Sequence, residues 1–492
     1  MKPSMTAPFR KGEIVSLRID DLALGGPGVA RHDGYVVMVR RALPGDLVRA
    51  EITRLSRSHA EARVVELIER SPQRVEPRCS HFGVCGGCRW QDLAYPAQLA
   101  WKQRQIVESL KRIGRFDEPL VDEPLPSPDV YYYRNKMEFS FGRDPDGSLT
   151  LGLHPEGSYE DVFDLRECHL QSPLSNELVA FIRDSCARAG LEPYNVRTHF
   201  GFLRYLAIRE GKLTGEVMVN LVTSEGDAAP LREIAAATAS RFPAVVSFLR
   251  SVNSRRATVA VGEREEVLSG RPFITERIGE STFEITASSF FQTNSRQAER
   301  LYAAVLEAAE LQADDRVLDL YSGTGTISIL AAKIAKEVRG VESQPDSVRN
   351  AERNASLNGV RNCFFIRAEA RKALAVIAAD REPPTVVVVN PPRAGLNGSV
   401  IHHMLRLRPR RLVYVSCNPA TLARDLNMIC ERDYTLQRVR PVDMFPHTVH
   451  VECVARVDRT PGTRLAGPGV AGARSADTDA RSAGRSGAET VK

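Results

Sequence analysis

The sequence contains no apolar run long enough to cross a membrane, and residues 1–12 lack the apolar core of a signal peptide. These two absences predict a cytoplasmic protein with no membrane partner. A disulfide framework is also not expected, because thiols stay reduced in the cytoplasm. The nine cysteines should therefore be free thiols, metal ligands or catalysts.

The chain also lacks a strong excess of one charge, since its net charge is only +6 over 492 residues. Bulk charge is therefore weak support for nucleic-acid binding, and only local basic patches can argue for it. The length exceeds one ordinary core and predicts two to four domains. A hydrophobic content of 43% is ordinary for a globular protein, and we expect a monomer.

Periodicity divides the chain into four parts. Short alternating strands between turn clusters predict a small OB-like β-barrel over residues 11–72, of a kind that binds nucleic acid. Residues 73–290 mix strands with a few helices and predict an α+β middle domain, whose amphipathic helix at 98–113 is expected to pack on the next domain. Residues 291–458 alternate helix and strand, which predicts a doubly wound, Rossmann-like α/β sheet. Residues 459–492 have almost no large apolar side chains and predict a disordered tail.

Three cysteines are bunched near the start of the middle domain, at Cys79, Cys85 and Cys88, with two glycines between the last two. Cys168 follows a strand-like run in a polar turn and is the best candidate for a fourth ligand. Four thiolates fit either a [4Fe–4S] cluster or structural zinc, and the three-plus-one spacing favours iron–sulfur. The Cx3CxxC loop of radical enzymes is absent, which argues against radical chemistry.

Cys417 stands just past a predicted buried strand at residues 411–416, and Asn418-Pro419 ends that strand before a helix. A residue at such a turn is presented at the sheet edge where ligands of open α/β folds bind. A lone cysteine is more often a buried structural thiol. The other motifs at the same edge favour a nucleophile that acts on an RNA base.

A glycine-rich turn at residues 319–326 follows the first strand of the α/β domain. It lacks the GxGxxG spacing of dinucleotide sites, but its glycines let backbone amides approach a ligand at a helix start. Glu342 and Glu369 end the next two strands, where they are placed to bind ribose hydroxyls and an adenine amino group; a solvated carboxylate is the alternative for Glu369. Acidic strand ends suit a ligand without phosphates and favour S-adenosylmethionine. Asn390 ends the fourth strand at the same crevice, and the proline pair after it stiffens a loop beside the cysteine turn.

These motifs together resemble the RNA 5-methyluridine methyltransferases that carry a TRAM barrel and an iron–sulfur cluster and modify 23S ribosomal RNA. The resemblance rests on the four clustered cysteines and on the following stretches: Ser289-Phe-Phe-Gln292, Asp319-Leu-Tyr-Ser-Gly-Thr-Gly325, Pro391-Pro-Arg-Ala-Gly395, Ser416-Cys-Asn-Pro419 and Asp443-Met-Phe-Pro-His-Thr-Val-His-Val-Glu452. It implies that Cys417 is the nucleophile and Glu452 the base. It also implies that the methyl donor contacts Gln292, Tyr321, Thr326, Glu342 and Glu369. The barrel and cluster argue against the tRNA-modifying relatives, and 23S ribosomal RNA is the expected partner.

One residue departs from this family's pattern. Asn390 stands where the family usually has aspartate before Pro-Pro-Arg, so a charge is lost and a donor gained. Asn-Pro-Pro is also similar to the loop of amino-group methyltransferases, which predicts, as an alternative, methylation of an exocyclic amine that survives loss of Cys417. A second alternative is a non-catalytic RNA-binding assembly factor. The intact cysteine, base and donor motifs argue against both.

Overall fold

Four β-sheets organise the described part of the chain, which comprises residues 8–256, 259–260, 262–431 and 433–460 of a computed structural model. The predicted disordered tail lies outside these residues, except for its first two positions. Among the described helices, none combines the length and the apolar character that a bilayer span requires.

The N-terminal sheet is six-stranded. Its strands are β1 (Ile14–Arg18), β2 (Asp21–Leu22), β3 (Gly28–His32), β4 (Tyr35–Arg40), β5 (Leu47–Leu55) and β6 (His59–Glu69). They lie in the order β1-β5-β6-β4-β3-β2, and of the neighbouring strands only β4 and β6 are parallel. Small and β-branched side chains alternate inward along them, such as Val37, Val39, Ala60 and Ala62, so that one face closes on an apolar interior. β1 also contacts β3, which curls the sheet towards a barrel.

The middle sheet has seven strands. Its region contains α1 (Tyr95–Arg112), β7 (Lys136–Arg143), β8 (Leu149–Leu153), β9 (Phe163–Asp164), α2 (Pro173–Arg188), β10 (Leu203–Glu210), β11 (Val217–Thr223), α3 (Ala229–Arg241), β12 (Val245–Val252) and β13 (Arg264–Gly270). The strand order is β13-β12-β11-β10-β7-β8-β9. Only β11 and β12 are parallel, because the intervening α3 provides the crossover that a parallel pair needs. α2 and α3 contribute to the core beneath this sheet.

The C-terminal sheet also has seven strands, preceded by a hairpin. The elements are β14 (Phe273–Ile278), β15 (Ser281–Thr286), α4 (Ser295–Ala309), β16 (Arg316–Leu320), α5 (Thr326–Ala332), β17 (Glu337–Glu342), α6 (Pro345–Leu357), β18 (Cys363–Arg367), α7 (Ala370–Ile377), β19 (Val386–Val389), α8 (Gly398–Arg406), β20 (Arg411–Ser416), α9 (Pro419–Cys430), β21 (Tyr434–Val442) and β22 (Glu452–Arg459). The order is β18-β17-β16-β19-β20-β22-β21. The five strands from β16 to β20 are parallel, and β22 pairs antiparallel with both of its neighbours. The direction of the strand order reverses between β16 and β19, so a ligand crevice is expected at their carboxyl ends.

The hairpin β14–β15 packs between the middle and C-terminal sheets, since Ile274 and Ile278 share a core with Met218 and Leu249 as well as with α4. Phe283 and Ile285 join the core that contains α4, and two asparagines of α6 accept hydrogen bonds from the backbone of β15. Asn354 accepts from the Glu284 N–H at 2.8 Å, and Asn358 accepts from the Thr282 N–H at 3.0 Å. The expected boundary at residue 290 would cut the hairpin from this core. We therefore propose a boundary near residue 271.

Helix α1 is remote in sequence from the C-terminal sheet but packs on it. Its Ile106 and Leu110 are fully buried in the same core as Leu422 and Leu426 of α9. The helix therefore bridges the cysteine loop that precedes it and the helix that follows Cys417.

Candidate active site

Cys417 and Glu452 lie at the ends of two paired strands. Ser416, the last residue of β20, pairs with Cys453 of β22 in antiparallel register. Continuing this register by one residue sets Cys417 opposite Glu452, which is the first residue of β22. The structure therefore brings together the two residues to which the resemblance gives catalytic roles, although they are far apart in sequence.

Burial shifts the protonation of both groups, and the Glu452 charge adds to the shift at Cys417. Burial raises the pKa of the Glu452 carboxyl to about 8, because a buried carboxylate loses its hydration. The pKa of the Cys417 thiol is also raised, first by burial and then by the Glu452 charge, whereas the Arg393 charge lowers it. A carboxyl group that ionises near pH 8 can act as a general base close to physiological pH.

The glycine-rich turn after β16 is held by the carboxylate that ends β17. The Gly323 N–H donates to Glu342 Oε2 at 3.2 Å, and the N–H groups of Ser343 and Gln344 donate to Oε1 at 2.7 and 2.8 Å. Gly325 precedes α5 with a φ of 81°, and a Cβ there would lie 2.7 Å from the Phe365 ring. Only glycine allows this close approach of the turn to β18. Glu342 is thus fixed in orientation beneath the turn, with lone pairs left for a ligand hydroxyl.

Asp319 is a buried acid that the sequence analysis quoted only within a motif. It is 1% exposed, and its Oδ2 accepts a hydrogen bond from Ser328 Oγ at 2.6 Å. Its Oδ1 has no protein partner among the described residues. Burial raises the pKa of Asp319 to about 7, and the Glu342 charge adds to that rise. Its position at the head of the glycine-rich motif was the sequence signal that could have marked it.

Tyr302 interacts both with Thr326, at the end of the glycine-rich turn, and with the charge of Glu452. It was not among the predicted site residues. Its hydroxyl hydrogen-bonds the side chain of Thr326, the first residue of α5. Burial raises the pKa of Tyr302, and the charge of Glu452 raises it further. Gln292 is buried and lies shortly before α4 in the sequence. Its carbonyl oxygen accepts a hydrogen bond from Asn135 Nδ2 at 2.8 Å. A lone tyrosine on an amphipathic helix carries no sequence signal that separates it from an ordinary core residue.

The remaining predicted donor residues occupy the same strand ends. Tyr321 follows β16 in a left-handed conformation, with a φ of 64°. The N–H of Asn390 donates to the Leu320 carbonyl at 3.2 Å, which joins β19 to β16 at the point where the strand order reverses. Glu369 is different, because it is exposed and forms an ion pair with Lys372 at 3.6 Å. Both alternatives for Glu369, an adenine contact and a solvated carboxylate, therefore stay open.

The loop after Asn390 is attached to the cysteine turn. Asn418 Nδ2 and Thr421 Oγ1 donate to the Arg393 carbonyl at 3.2 and 3.3 Å. The buried Asp425 of α9 accepts from the Leu396 N–H at 2.7 Å. These bonds, with the contact of Asn390 to β16, form a continuous link from the glycine-rich turn to the start of α9.

The segment that leads into Glu452 is held by two side chains of α1. Lys102 Nζ donates to Asp443 Oδ1 at 2.6 Å and to the Phe445 carbonyl at 3.1 Å, and the Lys102 and Asp443 side chains are both 0% exposed. Gln98 Oε1 accepts from the His447 N–H at 2.8 Å. Helix α1 was predicted from its basic, amphipathic pattern, but this buried ion pair was not predicted.

The cysteine loop contacts the same segment. The N–H of Arg89, next to Cys88, donates to the His447 carbonyl at 3.0 Å. The Tyr131 ring stacks on the His447 ring with centroids 4.4 Å apart, and the Tyr133 hydroxyl donates to the Pro446 carbonyl at 3.1 Å. The middle domain thus helps to shape the approach to Glu452.

Replacement of Lys102 by methionine is expected to lower the free energy of unfolding by about 3–5 kcal/mol, because it leaves the buried Asp443 carboxylate unpaired. Replacing both partners, as Lys102→Met with Asp443→Leu, should recover most of that loss. Urea denaturation measures both effects. Arg112→Met on the same helix is the matched control, since the exposed Arg112–Glu108 pair contributes at most about 1 kcal/mol. Equal losses in the Lys102 and Arg112 variants would contradict the assignment.

The four predicted ligand cysteines line one cavity of about 600 Å³. Burial raises the pKa of Cys88 to about 12, and negative charge on Cys168 and Cys85 raises it further. The Gly87 N–H donates to the Cys85 sulfur at 3.3 Å. Burial raises the pKa of Cys168, and hydrogen bonds from the backbone N–H groups of Leu170 and Gln171 oppose that rise. The donor set therefore suits a thiolate-bound metal. However, within residues 8–460, omitting the four undescribed positions, no three His, Cys, Asp or Glu side chains form a group arranged to hold a metal ion, so the predicted cluster is not shown.

Two family profiles match the chain. The profile described as tRNA (Uracil-5-)-methyltransferase matches residues 265–460, and the TRAM domain profile matches residues 8–65. An uncharacterized RNA methyltransferase of Chlorobaculum tepidum is 41% identical over 471 residues, covering 92% of this chain and 97% of that protein. One of Nitratidesulfovibrio vulgaris is 40% identical over 451 residues, covering 91% and 96%.

A solved structure extends this similarity to a protein with bound ligand. It is the Pyrococcus abyssi tRNA (uracil-54, C5)-methyltransferase in complex with S-adenosyl-L-homocysteine, with a TM-score of 0.71 and 33% identity, covering 90% of this chain and 99% of that one. The match covers 90% of this chain, which is more than the part that follows residue 72. It therefore includes some of the predicted barrel at residues 11–72. The barrel is therefore weaker support for excluding a tRNA substrate than the sequence pattern predicts. The chain belongs to the RNA uracil-5-methyltransferase family, as an S-adenosylmethionine-dependent enzyme with an N-terminal TRAM domain.

Proposed function

We propose that this enzyme methylates C5 of a uridine in RNA through a covalent bond between Cys417 and C6 of the base. The observation that carries the proposal is the register that sets Cys417 opposite the buried Glu452, at the sheet edge where the glycine-rich turn also lies. In this proposal the donor site is formed by Gln292, Tyr321, Thr326, Glu342, Glu369 and Asn390.

Uracil C5 must first become electron-rich, and Cys417 serves that step. Its thiolate adds to C6, and the electron pair of the C5–C6 double bond moves towards C5 and O4. S-adenosylmethionine, when bound, supplies an electrophilic methyl group, which C5 takes up. Glu452 then removes the proton from C5, the double bond re-forms, and the C6–S bond breaks to release Cys417. The target base must leave any stack to enter this crevice.

The electrostatics of the pair suit this order of events. The Cys417 thiolate and an ionised Glu452 repel each other, since each raises the cost of charge on the other. Addition of Cys417 moves the thiolate charge onto the base, and methyl transfer from the sulfonium then neutralises it. Glu452 can then ionise at a lower cost, at the stage where a base is required.

Trapping with 5-fluorouridine RNA tests the covalent step. A fluorine at C5 cannot be removed as a proton, so the enzyme with donor and this RNA should form a stable adduct that migrates as a cross-linked species. Unmodified RNA should yield 5-methyluridine and no lasting adduct. Methylation of an exocyclic amine, the alternative suggested by Asn390-Pro-Pro, would produce a modified nucleoside other than 5-methyluridine, and no adduct.

The RNA class has two candidates. The resemblance to enzymes of 23S ribosomal RNA supports that substrate, whereas the similarity to the Pyrococcus abyssi tRNA enzyme supports a tRNA uridine. We propose 23S ribosomal RNA as the first to test. Labelled methyl transfer to purified ribosomal RNA and to tRNA transcripts, followed by mapping of 5-methyluridine in RNA from a deletion strain, distinguishes the two.

We also propose that Cys79, Cys85, Cys88 and Cys168 hold a [4Fe–4S] cluster, with zinc as the alternative. The shared cavity and the N–H bonds to sulfur support a thiolate ligand set. Such a group would stabilise the loop that contacts His447 and would take no part in methyl transfer.

Anaerobically purified protein is expected to show the visible absorbance of a cluster and about four iron atoms per chain. Cys88→Ser should lose both signals. Cys186→Ser, at a buried cysteine outside the cavity, should keep them. Metal analysis that finds zinc and no iron would favour the alternative, and a protein without either metal would contradict the proposal.

A further inference from the structure

A second cavity, of about 720 Å³, opens at the far end of β7 in the middle domain. Two aromatic rings on its lining are unusually exposed: Tyr159 retains 74% and Phe200 retains 79% of its accessible surface. Large apolar side chains this exposed beside a cavity indicate a binding surface more often than isolated surface residues do.

The loop that presents Phe200 is tightly ordered. Asn195 Oδ1 accepts from the N–H groups of Arg197 and Thr198 at 2.9 and 3.0 Å, and the Asn195 N–H donates to the Phe200 carbonyl at 2.8 Å. Gly201 follows with a φ of 111°, and a Cβ there would lie 2.1 Å from a backbone oxygen. The exposure of Phe200 is therefore a consequence of a defined loop conformation that requires glycine after it.

The loop that carries Tyr159 is bonded across the cavity to the loop that carries Phe200. Arg197 Nε donates to Glu160 Oε2 at 2.9 Å, and Ser158 Oγ donates to Asp161 Oδ2 at 2.9 Å within the second loop. Arg143, also on the lining, pairs with Glu192. Because these arginines are neutralised by carboxylates, the surface offers aromatic faces rather than excess positive charge. Its chemistry suits nucleobases better than phosphates.

Strand β7 joins this cavity to the donor site. Asn135, just before β7, donates to the Gln292 carbonyl at 2.8 Å. Ser140 and Phe141, further along β7, line the aromatic cavity. At about 3.3 Å per residue, the stretch from Asn135 to Phe141 spans about 20 Å. His154 lines both the aromatic and the cysteine cavity, so the two cavities adjoin at this residue.

We propose that Tyr159 and Phe200 bind unpaired bases of the RNA substrate at a site distinct from the catalytic crevice. The inference rests on the proposed function for its choice of ligand. A separation of about 20 Å corresponds to about six stacked nucleotides, at 3.4 Å per nucleotide along a strand. A long RNA bound at the catalytic crevice can therefore also reach the two rings, whereas an RNA of a few nucleotides bound there cannot.

Fluorescence anisotropy with labelled single-stranded oligouridylates tests this site without requiring catalysis. For an oligonucleotide of about 20 residues, Phe200→Ala and Tyr159→Ala should each raise the Kd about tenfold, because one stacked base contributes about 1–3 kcal/mol. The slope of log K against log salt should not change, since no phosphate contact is removed. Phe200→Tyr and Tyr159→Phe should bind as the unsubstituted protein does.

Two controls test whether the rise in Kd comes from loss of this site. Leu213→Ala removes another exposed apolar side chain, 42% exposed and away from this lining, and should have no effect. An oligonucleotide of about four residues can occupy only one of the two sites at a time, so binding at the crevice remains in the alanine variants and their Kd should rise less than it does with the long RNA. Failure of the long oligonucleotide to bind, unchanged Kd values, or equal losses in the Leu213 variant or with the short RNA would each overturn the inference. A missing 5-fluorouridine adduct would instead overturn the proposed function while leaving this binding result intact.

Discussion

Replacement of Cys417 by alanine is expected to abolish both methyl transfer and the 5-fluorouridine adduct. Without the sulfur, C5 of uracil stays too weakly nucleophilic to take the methyl group, so the rate should fall by at least about 10³-fold, as when other catalytic nucleophiles are removed. Single-turnover transfer of labelled methyl to RNA measures the rate, and gel mobility detects the adduct. RNA and donor binding should stay close to their normal values.

Cys430→Ala is the matched control, because Cys430 ends the same helix α9 that Cys417 precedes and is buried in the core. That variant should lose some stability and keep the adduct. An adduct that persists in Cys417→Ala would show that another group attacks C6. Methyl transfer that persists without any adduct would support methylation of an exocyclic amine.

Replacement of Glu452 by glutamine is expected to stop the reaction after methylation. Glutamine keeps the shape of the side chain but cannot accept the C5 proton, so the methylated base should remain attached to Cys417. Turnover should fall about 10²–10⁴-fold, while the first methyl transfer proceeds and the labelled adduct accumulates on ordinary RNA. A variant that loses turnover and accumulates no adduct would contradict the role as base.

The pH dependence offers a second test of Glu452. The base form of a carboxyl with a pKa of about 8 appears as the pH rises, so proton removal should accelerate up to about pH 8 and then level off. Asp319→Asn, which alters another buried acid, should retain this profile. A rate that is independent of pH between 6 and 9, roughly the range over which such a group ionises, would contradict the assignment.

The free energy of unfolding should fall as the pH rises, whereas the rate of proton removal should increase. The folded-state pKa of Glu452 lies above its ordinary value, so folding favours the protonated form, and that stabilisation is complete below about pH 4.5. It is lost as the pH rises towards 8, at about 1.4 kcal/mol per pKa unit. Glu452→Gln should therefore unfold at higher denaturant concentration than the unsubstituted protein at pH 9, and the difference should shrink in acid, where both side chains are neutral.

Parts of the chain that precede the C-terminal sheet help to hold Glu452 in position. Glu452, the proposed base, is the first residue of strand β22, so its position depends on the segment before it. That segment is held by Lys102 of α1, by Arg89 beside the cysteine loop and by Tyr133. The middle domain therefore contributes to the geometry of the proposed active site, in addition to offering the proposed surface for RNA.

Local pattern was sufficient for much of the fold. The strand predicted at residues 411–416 is observed as β20 (Arg411–Ser416), and the all-valine β19 is buried on both faces, as its composition predicts. Strand–helix alternation predicted the C-terminal sheet because each parallel pair needs a crossover helix. The last strand begins at Glu452, and residues before it, such as Asp443 and His447, bond to α1 and the cysteine loop instead of to β20.

The sequence by itself determined which chemical groups this chain offers: a thiol at a strand end, a glycine-rich turn, acidic strand ends and three bunched cysteines are all local features. Only the tertiary structure decided which of them meet. The pairing of β20 with β22, the burial that raises the pKa of Glu452 and the Lys102–Asp443 ion pair join residues that are distant in sequence. Local periodicity reports which face of an element is buried but not what it is buried against, and such contacts depend on packing between elements.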